Sequence, residues 1–333
     1  MKILVCGGAG FIGSTFIKNY LKNNPNDTIT NLDNLTIGSN LQNLKSIETN
    51  PNYLFVKNDI KNEKIVEEIS KDKDIIINFA AESHVDRSIA NPKIFIETNI
   101  LGTYSLLEAV RKYDKFFIHV STDEVYGDAQ GNESFTEERN LNPSNPYSAT
   151  KASSDLLVSA YERTYGIKSI TTRCTNNFGP HQFPEKLVPK TIIRLIKNLK
   201  VPLYGDGSQI RSWIYVSDHV SAIESIISKG KCSHVYNITA YEEISNKTIV
   251  EKILKILKKS DNMIEYVGDR PGHDKRYSID CSKIENELKW KPKYKFDDAL
   301  KETVRWYVEN QSWWESLVNN ETLHSQPWTI SKK

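Results

Sequence analysis

The strongest constraint on the fold stands at the N-terminus. Lys2-Ile-Leu-Val-Cys6 is a short apolar run that passes directly into Gly7-Gly-Ala-Gly10-Phe-Ile-Gly13, and Ser14 to Lys22 continues at helical spacing. Glycines at 7, 10 and 13 permit a tight turn, the approach of a pyrophosphate to the backbone, and close packing of helix on strand. The helix N-terminus adds free amides and the positive end of its dipole. A Gly-x-x-Gly-x-x-Gly anywhere says little, but between an N-terminal strand and a helix it specifies a dinucleotide site. The next strand, Thr28 to Leu32, ends at Asp33, twenty residues past Gly13. An acid there bonds ribose hydroxyls and repels a 2′-phosphate. Asn34-Leu35-Thr36 contains no arginine or lysine, so NAD rather than NADP is the expected cofactor.

The chain then alternates. Strands are expected at Tyr53–Lys57, Asp74–Phe79, Lys115–Val120 and Lys168–Arg173, separated by helices over Asn62–Lys71, Pro92–Tyr113 and Asn145–Tyr165. This is the pattern of an α/β, doubly wound parallel sheet of the Rossmann kind. Residues 1–175 are assigned to the cofactor domain and 176–333 mainly to a smaller C-terminal substrate-binding lobe. Strands near 212–216 and 234–238 are expected to return to the first sheet. The stretch from Asn176 to Pro189 looks too irregular for a core element. Ser217-Asp218 and Ser245 or Asn246 read as helix caps. The closing aromatic cluster Trp306, Tyr307, Trp313 and Trp314 reads as a terminal helix docked on the core, or as a subunit contact.

Composition excludes more than it selects. Among 333 residues, 44 basic and 42 acidic side chains leave a formal charge of +2, which gives no footprint for nucleic acid or a membrane surface. No apolar run approaches the ~18 residues of a spanning helix. The N-terminus begins a strand without a signal-peptide pattern, so a cytoplasmic protein is expected. Cys6, Cys174, Cys232 and Cys281 are widely spaced, which suggests neither a metal site nor a disulfide framework, and Cys6 and Cys174 read as buried thiols.

The chemistry concentrates between Ser121 and Lys151. Thr122-Asp123-Glu124 leaves the C-terminal end of a strand, where open α/β sheets place their ligands. Asn145-Pro146 starts a helix on which Tyr147 and Lys151 share a face. A lysine beside a tyrosine stabilises phenolate, which makes Tyr147 a plausible base. A second Tyr-x-x-x-Lys, Tyr53 to Lys57, falls in a strand and reads as accident. Two irregular loops, Tyr204–Arg211 and Asp269-Arg-Pro-Gly-His273, suit an anionic, polyhydroxylated ligand.

With these residues on the page, the chain resembles the extended short-chain dehydrogenase/reductase superfamily. Ser-Thr-Asp-Glu-Val-Tyr-Gly (121–127), Ala-Ala-Glu-Ser-His-Val-Asp-Arg-Ser (80–88) and Asn-Asn-Phe-Gly-Pro-His-Gln-Phe-Pro-Glu-Lys-Leu (176–187) look like the nucleoside-diphosphate-glucose 4,6-dehydratases. The likeness extends from Lys2 to about Trp314. It implies a lyase with internal redox, acting on dTDP-glucose or UDP-glucose in deoxysugar formation. Tyr147 would take the proton of the 4-hydroxyl, Thr122 would bond that hydroxyl, and Asp123 and Glu124 would divide acid and base work in the elimination, with Lys151 in support. The implied cofactor contacts are Gly7, Gly10, Phe11, Ile12, Gly13, Asp33, Asn34, Leu35, Thr36, Asp59 and Ile60. Phe79, Ala80, Ala81, Ser83, Thr98, Tyr147, Lys151 and Asn177 complete that set. Substrate contacts fall to Ser83, Thr122, Asn176, Lys186, Leu187, Tyr204, Arg211, Asn246, Arg270 and His273. A homodimer through the helices at 92–113 and 146–165 is implied as well. The alternative is a nucleotide-sugar 4-epimerase, which shares the tyrosine, lysine and cofactor but lacks the paired acids.

Overall fold

In the computed structural model, which describes residues 1–330, the first half of the chain alternates strand and helix. In order it forms β1 (Lys2–Cys6), α1 (Phe11–Asn23), β2 (Thr28–Asp33), β3 (Tyr53–Lys57), α2 (Glu63–Ser70) and β4 (Ile75–Asn78). Then follow α3 (Val85–Ala90), α4 (Pro92–Phe95), α5 (Gly102–Tyr113), β5 (Phe116–Thr122), α6 (Pro146–Tyr165) and β6 (Lys168–Cys174). The second half contributes β7 (Asn176–Phe178), α7 (Leu187–Ile196), β8 (Val201–Tyr204), β9 (Ile210–Tyr215), α8 (Val216–Lys229) and β10 (His234–Ile238). It continues through β11 (Glu242–Ser245), α9 (Asn246–Ile256), β12 (Ile264–Val267), α10 (Ser282–Leu288), α11 (Phe296–Glu309) and α12 (Gln311–Glu315).

Seven strands pair in the order β10-β6-β5-β4-β1-β2-β3, all parallel. The alternation of side chains along each strand feeds two separate cores. Ile3, Val5, Ile77, Ile118 and Ile170 face α1 and α8, where they meet Phe16, Ile17, Val220 and Ile223. Leu4, Cys6, Ile76 and Phe117 face the opposite side and pack on Leu106, Leu107, Val110 and Val158 of α5 and α6. Strand order reverses between β1 and β4, so the crevice for a ligand opens at the carboxyl ends of those two strands.

The helix expected over 92–113 exists but is interrupted. Between α4 and α5, residues Ile96–Leu101 form a π-helical turn. The extra residue swings Asn99 inward. Its Oδ1 accepts the Glu82 amide at 2.9 Å, and its Nδ2 donates to the Glu82 carbonyl and to Thr150 Oγ1. One buried amide thus ties the loop after β4 to α6.

Several expectations for the second half are corrected. β9 does not return to the large sheet: it lies in a three-stranded sheet, β11-β9-β7, because it pairs with Asn176–Phe178 on one side and antiparallel β11 on the other. The strand at 234–238 is an edge of the seven-stranded sheet. The stretch from Asn176 is not merely loop, since it supplies β7, and Leu187 opens α7. Phe178, Val188 and Ile192 enter a third core with Trp213, Ile253 and Leu300, the short polar spacing having hidden these apolar contacts. Ser217-Asp218 is no cap: α8 starts at Val216, and the Asp218 carboxylate accepts the amides of Lys293 and Tyr294 instead. Ser245 does cap α9, through the Thr248 amide. The terminal aromatics dock as expected: Tyr307 and Trp314 are fully buried, and Trp314 Nε1 donates to the Tyr307 carbonyl.

Candidate active site

The glycine turn explains itself sterically. Gly7 has φ of +77°, and a Cβ there would stand 2.6 Å from the Ala80 amide nitrogen. At Gly13 a Cβ would come within 2.4 Å of the Gly7 carbonyl oxygen. β1, β4 and the first turn of α1 therefore approach as closely as backbone allows. Asp33, at the end of β2, accepts the Ala9 amide on Oδ2 and the Leu35 amide on Oδ1, so it holds the glycine turn from below. Burial raises its carboxyl above the ordinary range, with those two amides pulling it back.

A cleft of about 290 Å³ runs from this turn across the strand ends to α6. Gly7, Gly10, Phe11, Ile12, Gly13, Asp33, Asn34 and Thr36 line one end; Asp59, Ile60, Phe79, Ala80, Ala81, Ser83 and Thr98 line its flank. Thr122, Asp123, Glu124, Tyr147, Lys151, Asn176, Asn177 and Lys186 line the other end. Leu35, between Asn34 and Thr36, has a left-handed backbone, φ of +57°, and turns its side chain onto the core beneath the cleft. The reading also missed Ile37, Gly38 and Ser39, which complete the wall beyond Asp33. The cations lining the cleft are Lys151 and Lys186, both at the end away from Asp33. An acid at the ribose position, a glycine turn without room for a Cβ, and no cation near Asp33 fit NAD and disfavour a 2′-phosphate.

The reacting end is built by two elements. Asn145 caps α6 in a capping box with Ser148 and so fixes where Tyr147 leaves the helix. Opposite, Thr122 accepts the Glu124 amide and caps the single turn Asp123–Tyr126. Glu124 Oε2 accepts from Asn145 Nδ2 at 3.5 Å and from the Tyr277 hydroxyl at 3.4 Å, which joins the two elements. Asp123 is 2% exposed, and burial, then the neighbouring Glu124, push its carboxyl up to about 8. It is thus the member of the pair that stays protonated at neutral pH.

Tyr147 departs from the sequence expectation. Its phenol lies well above the ordinary value, because burial and then Glu124 disfavour phenolate, while the hydrogen bond with Thr122 pulls the other way. Lys151 Nζ does not reach the phenol but donates to the Val120 carbonyl at 2.9 Å. Burial brings the lysine down to about 8, opposed by Asp155 and Cys174.

A second cavity, about 150 Å³, continues from Glu124, Asn176 and Lys186 into the smaller lobe. Leu187, Tyr204, Arg211, Asn246, Arg270 and His273 line it. Arg211, expected at the end of an irregular loop, lies on β9; its guanidinium donates to the carbonyls of Ile210 and Asp274 and stands 4.2 Å from the Tyr277 ring centroid. Arg270 pairs with Asp86 at 3.0 Å, and its Nε is buried without a partner among the described residues. Lys186 Nζ donates to the Ser83 carbonyl. Asp86 escaped the sequence reading, although it lies in the quoted 80–88 motif. It also accepts from the Tyr204 hydroxyl, so one carboxylate on α3 holds two residues of the other lobe. Glu185, paired with Arg87 at 2.8 Å, makes a parallel link.

Comparison with known proteins agrees with this geometry. A family model described as GDP-mannose 4,6 dehydratase matches residues 4–303. A dTDP-glucose 4,6-dehydratase of Escherichia coli is 44% identical, with 96% of this chain and 97% of that protein covered. One from Bacillus anthracis, solved in complex with NAD, has a TM-score of 0.90 at 47% identity, covering 96% of this chain and 100% of its own. A dTDP-glucose 4,6-dehydratase of Streptomyces venezuelae, also solved with NAD bound, reaches a TM-score of 0.94 at 43% identity, with the same coverage. A UDP-glucose 4-epimerase of Thermotoga maritima stands further off, at 0.86 and 30% identity over 93% of this chain and 100% of that one.

Proposed function

The chain belongs to the GDP-mannose 4,6 dehydratase family, on its dTDP-glucose 4,6-dehydratase branch within the extended short-chain dehydrogenases/reductases, and from that premise we propose that it is an NAD-dependent hydro-lyase converting dTDP-glucose to dTDP-4-keto-6-deoxyglucose and water. The observation that carries the reading is the carboxyl pair: Asp123, held protonated by burial, beside Glu124, on the wall that Tyr147 also lines. An epimerase has no use for a neutral carboxylic acid beside a second carboxyl group.

NAD, for which the glycine turn and Asp33 line the cleft, would supply the hydride acceptor for C4 and the hydride that later returns to C6. Tyr147 takes the proton of the 4-hydroxyl while Thr122 bonds the same oxygen. The 4-ketone acidifies C5–H, and Glu124 removes that proton. Asp123 gives its proton to the departing 6-hydroxyl, which leaves as water, and the C5–C6 double bond forms. Glu124 then returns its proton to C5. Tyr147 ends with one proton gained and Asp123 with one lost, so a single proton exchange resets the site. Lys186, Arg211 and Arg270 are the cations for the diphosphate, Arg270 Nε being a buried donor with no partner among the described residues. Asn176, Leu187, Tyr204, Asn246 and His273 bound the remainder of the sugar nucleotide, with Ser83 at the sugar end.

The preference for thymidine rests on the relatives. A homodimer is supported by exposed apolar side chains on the helices at 92–113 and 146–165, namely Ile96, Leu101, Tyr104, Leu156 and Tyr165. Sedimentation of a single monomeric species at micromolar concentration would rule it out. NAD and nucleotide sugars are cytoplasmic metabolites, which supports a cytoplasmic place, testable by cell fractionation; no helix among the described residues is long and apolar enough to cross a membrane.

Purified protein incubated with dTDP-glucose and UDP-glucose in parallel, without added cofactor, tests the function. The expected product has lost one water by mass, and kcat/KM favours the thymidine nucleotide. Interconversion to the galacto sugar without water loss would overturn the reading in favour of epimerisation.

A further inference from the structure

The Glu124 carboxylate meets two side-chain donors among the described residues, Asn145 and Tyr277, and only the second can pass a proton on. The Asn145 amide donates to Oε2 but takes up no proton in return. The Tyr277 hydroxyl, 3.4 Å from the same oxygen, can both donate and accept. That hydroxyl also stands 2.5 Å from Asp274 Oδ2, and Asp274 Oδ1 accepts from the Ser144 hydroxyl. Tyr277 and Asp274 are 2% and 7% exposed, whereas Ser144 lies open at the surface. Glu124 lines both cavities, but Tyr277, Asp274 and Ser144 line neither. A continuous row of oxygens therefore leads from Glu124 to solvent on the side away from the substrate.

The row is held in place by β9. Ile210 donates to the Lys275 carbonyl and accepts the Tyr277 amide, which sews the segment to the strand. Arg211 adds a second clamp, since its guanidinium donates to the Asp274 carbonyl and lies over the Tyr277 ring. A tyrosine that only packs needs one acceptor for its single proton, and Asp274 is that acceptor. A packing role does not call for the second contact, with the base of the elimination.

Resting on the dehydratase reading, we propose that Tyr277 and Asp274 form a proton relay that connects Glu124 to solvent while the sugar nucleotide fills the cleft. The open side of Glu124 faces the two cavities, so bound substrate closes it to water. Having taken the C5 proton, Glu124 is a carboxylic acid whose O–H faces the phenol oxygen. That proton passes to Tyr277 as the phenol's own proton passes to Asp274 Oδ2. Two O–H bonds break and two form, the tyrosine stays neutral, and Asp274 ends as the acid. Burial, and then Glu124, hold the Tyr277 phenol well above its ordinary value, which suits a concerted hop that never leaves phenolate. Asp274 exchanges its proton with water at the Ser144 end. The reverse transfer then recharges Glu124, and the proton delivered to C5 comes from solvent.

The test follows an isotope, which mere packing would not move. Wild type, Tyr277→Phe and Asp274→Asn convert dTDP-glucose in deuterium oxide to low conversion, and borohydride reduces the ketone at once. Deuterium at C5 is then read by mass spectrometry and proton NMR, against a blank of product held in deuterium oxide. Wild-type product is expected to carry deuterium at C5. Both variants are expected to expel water with KM little changed and to return the original protium, so that deuterium at C5 falls several-fold. Asp274→Asn separates relay from positioning: its Oδ1 can still accept from Tyr277 and its Nδ2 can donate to Ser144, but the amide takes up no proton. Either variant as deuterated as wild type, or wild-type product that keeps protium, would overturn the relay. Folded, NAD-binding variants that form no product would overturn it too, since Tyr277 and Asp274 would then serve the abstraction itself, and so would failure of both to fold. Absence of water loss in the wild type is the separate outcome that removes the dehydratase reading beneath it.

Discussion

At the residue scale, the site depends on burial being used in opposite directions. The same low-dielectric wall that keeps Asp123 protonated up to about 8 also raises Tyr147, so that in the proposed mechanism one group is poised as acid while the other needs help to act as base. Asp123→Asn should keep C4 oxidation and lose dehydration by about 10²–10⁴-fold, the usual span for a general acid; stopped-flow absorbance of reduced cofactor against water loss by mass separates the two. The pH dependence has a definite sign. Asp123 is protonated in the folded state below about 8 and is an ordinary carboxylate when unfolded, so the unfolded chain sheds that proton first as pH rises. Turnover is therefore expected to decline above pH 8, and the group's contribution to stability also falls between the ordinary carboxylate range and 8. Asp123→Asn, which removes the ionisable group, should accordingly show a higher Tm than wild type at pH 8, measured by calorimetry. A lower Tm would mean that the asparagine amide finds no acceptor.

At the element scale, two short devices aim the chemistry: the capping box at the start of α6 and the π-turn between α4 and α5. Asn145 has a double task, since it caps the Ser148 amide and donates to Glu124. Asn145→Ala is expected to cost about 1 kcal/mol of stability, the usual value of an N-cap, and to lower kcat more than KM. Urea unfolding and steady-state kinetics would check both parts, and an unchanged kcat would show that Glu124 is held by Tyr277 alone. The cap was legible in Asn145-Pro146. The π-turn was not, because one extra residue in a helix leaves the apolar spacing of 92–113 nearly intact while rotating Asn99 into the core.

At the scale of the whole molecule, the two lobes are joined by charge across the mouth of the cleft. Asp86 on α3 binds Arg270 and Tyr204 of the smaller lobe, and Arg87 binds Glu185. Asp86→Asn leaves Arg270 buried without its partner, and such a loss typically costs about 3–5 kcal/mol. The expected outcome is a lower Tm together with a raised KM for dTDP-glucose and an unchanged affinity for NAD, read by calorimetry, steady-state kinetics and cofactor titration. A raised KM with no change in Tm would confine Asp86 to substrate binding.

Local pattern determined what local physics can determine. The strand–glycine–helix start, the acid twenty residues on, the period-two apolar strands and the Tyr147/Lys151 spacing each report on a few adjacent residues, so the doubly wound sheet and the buried face that Tyr147 and Lys151 share on α6 could be read directly. Tertiary structure alone decided that β9 leaves the large sheet, that Arg211 is spent largely on backbone carbonyls, that Lys151 reaches Val120 rather than Tyr147, and that Asp86 spans the lobes. These arrangements depend on partners remote in the chain, 31 residues away for Lys151 and Val120 and 184 for Asp86 and Arg270. A side chain's charge state and hydrogen bonds are set by what surrounds it, and no spacing in the sequence carries that information.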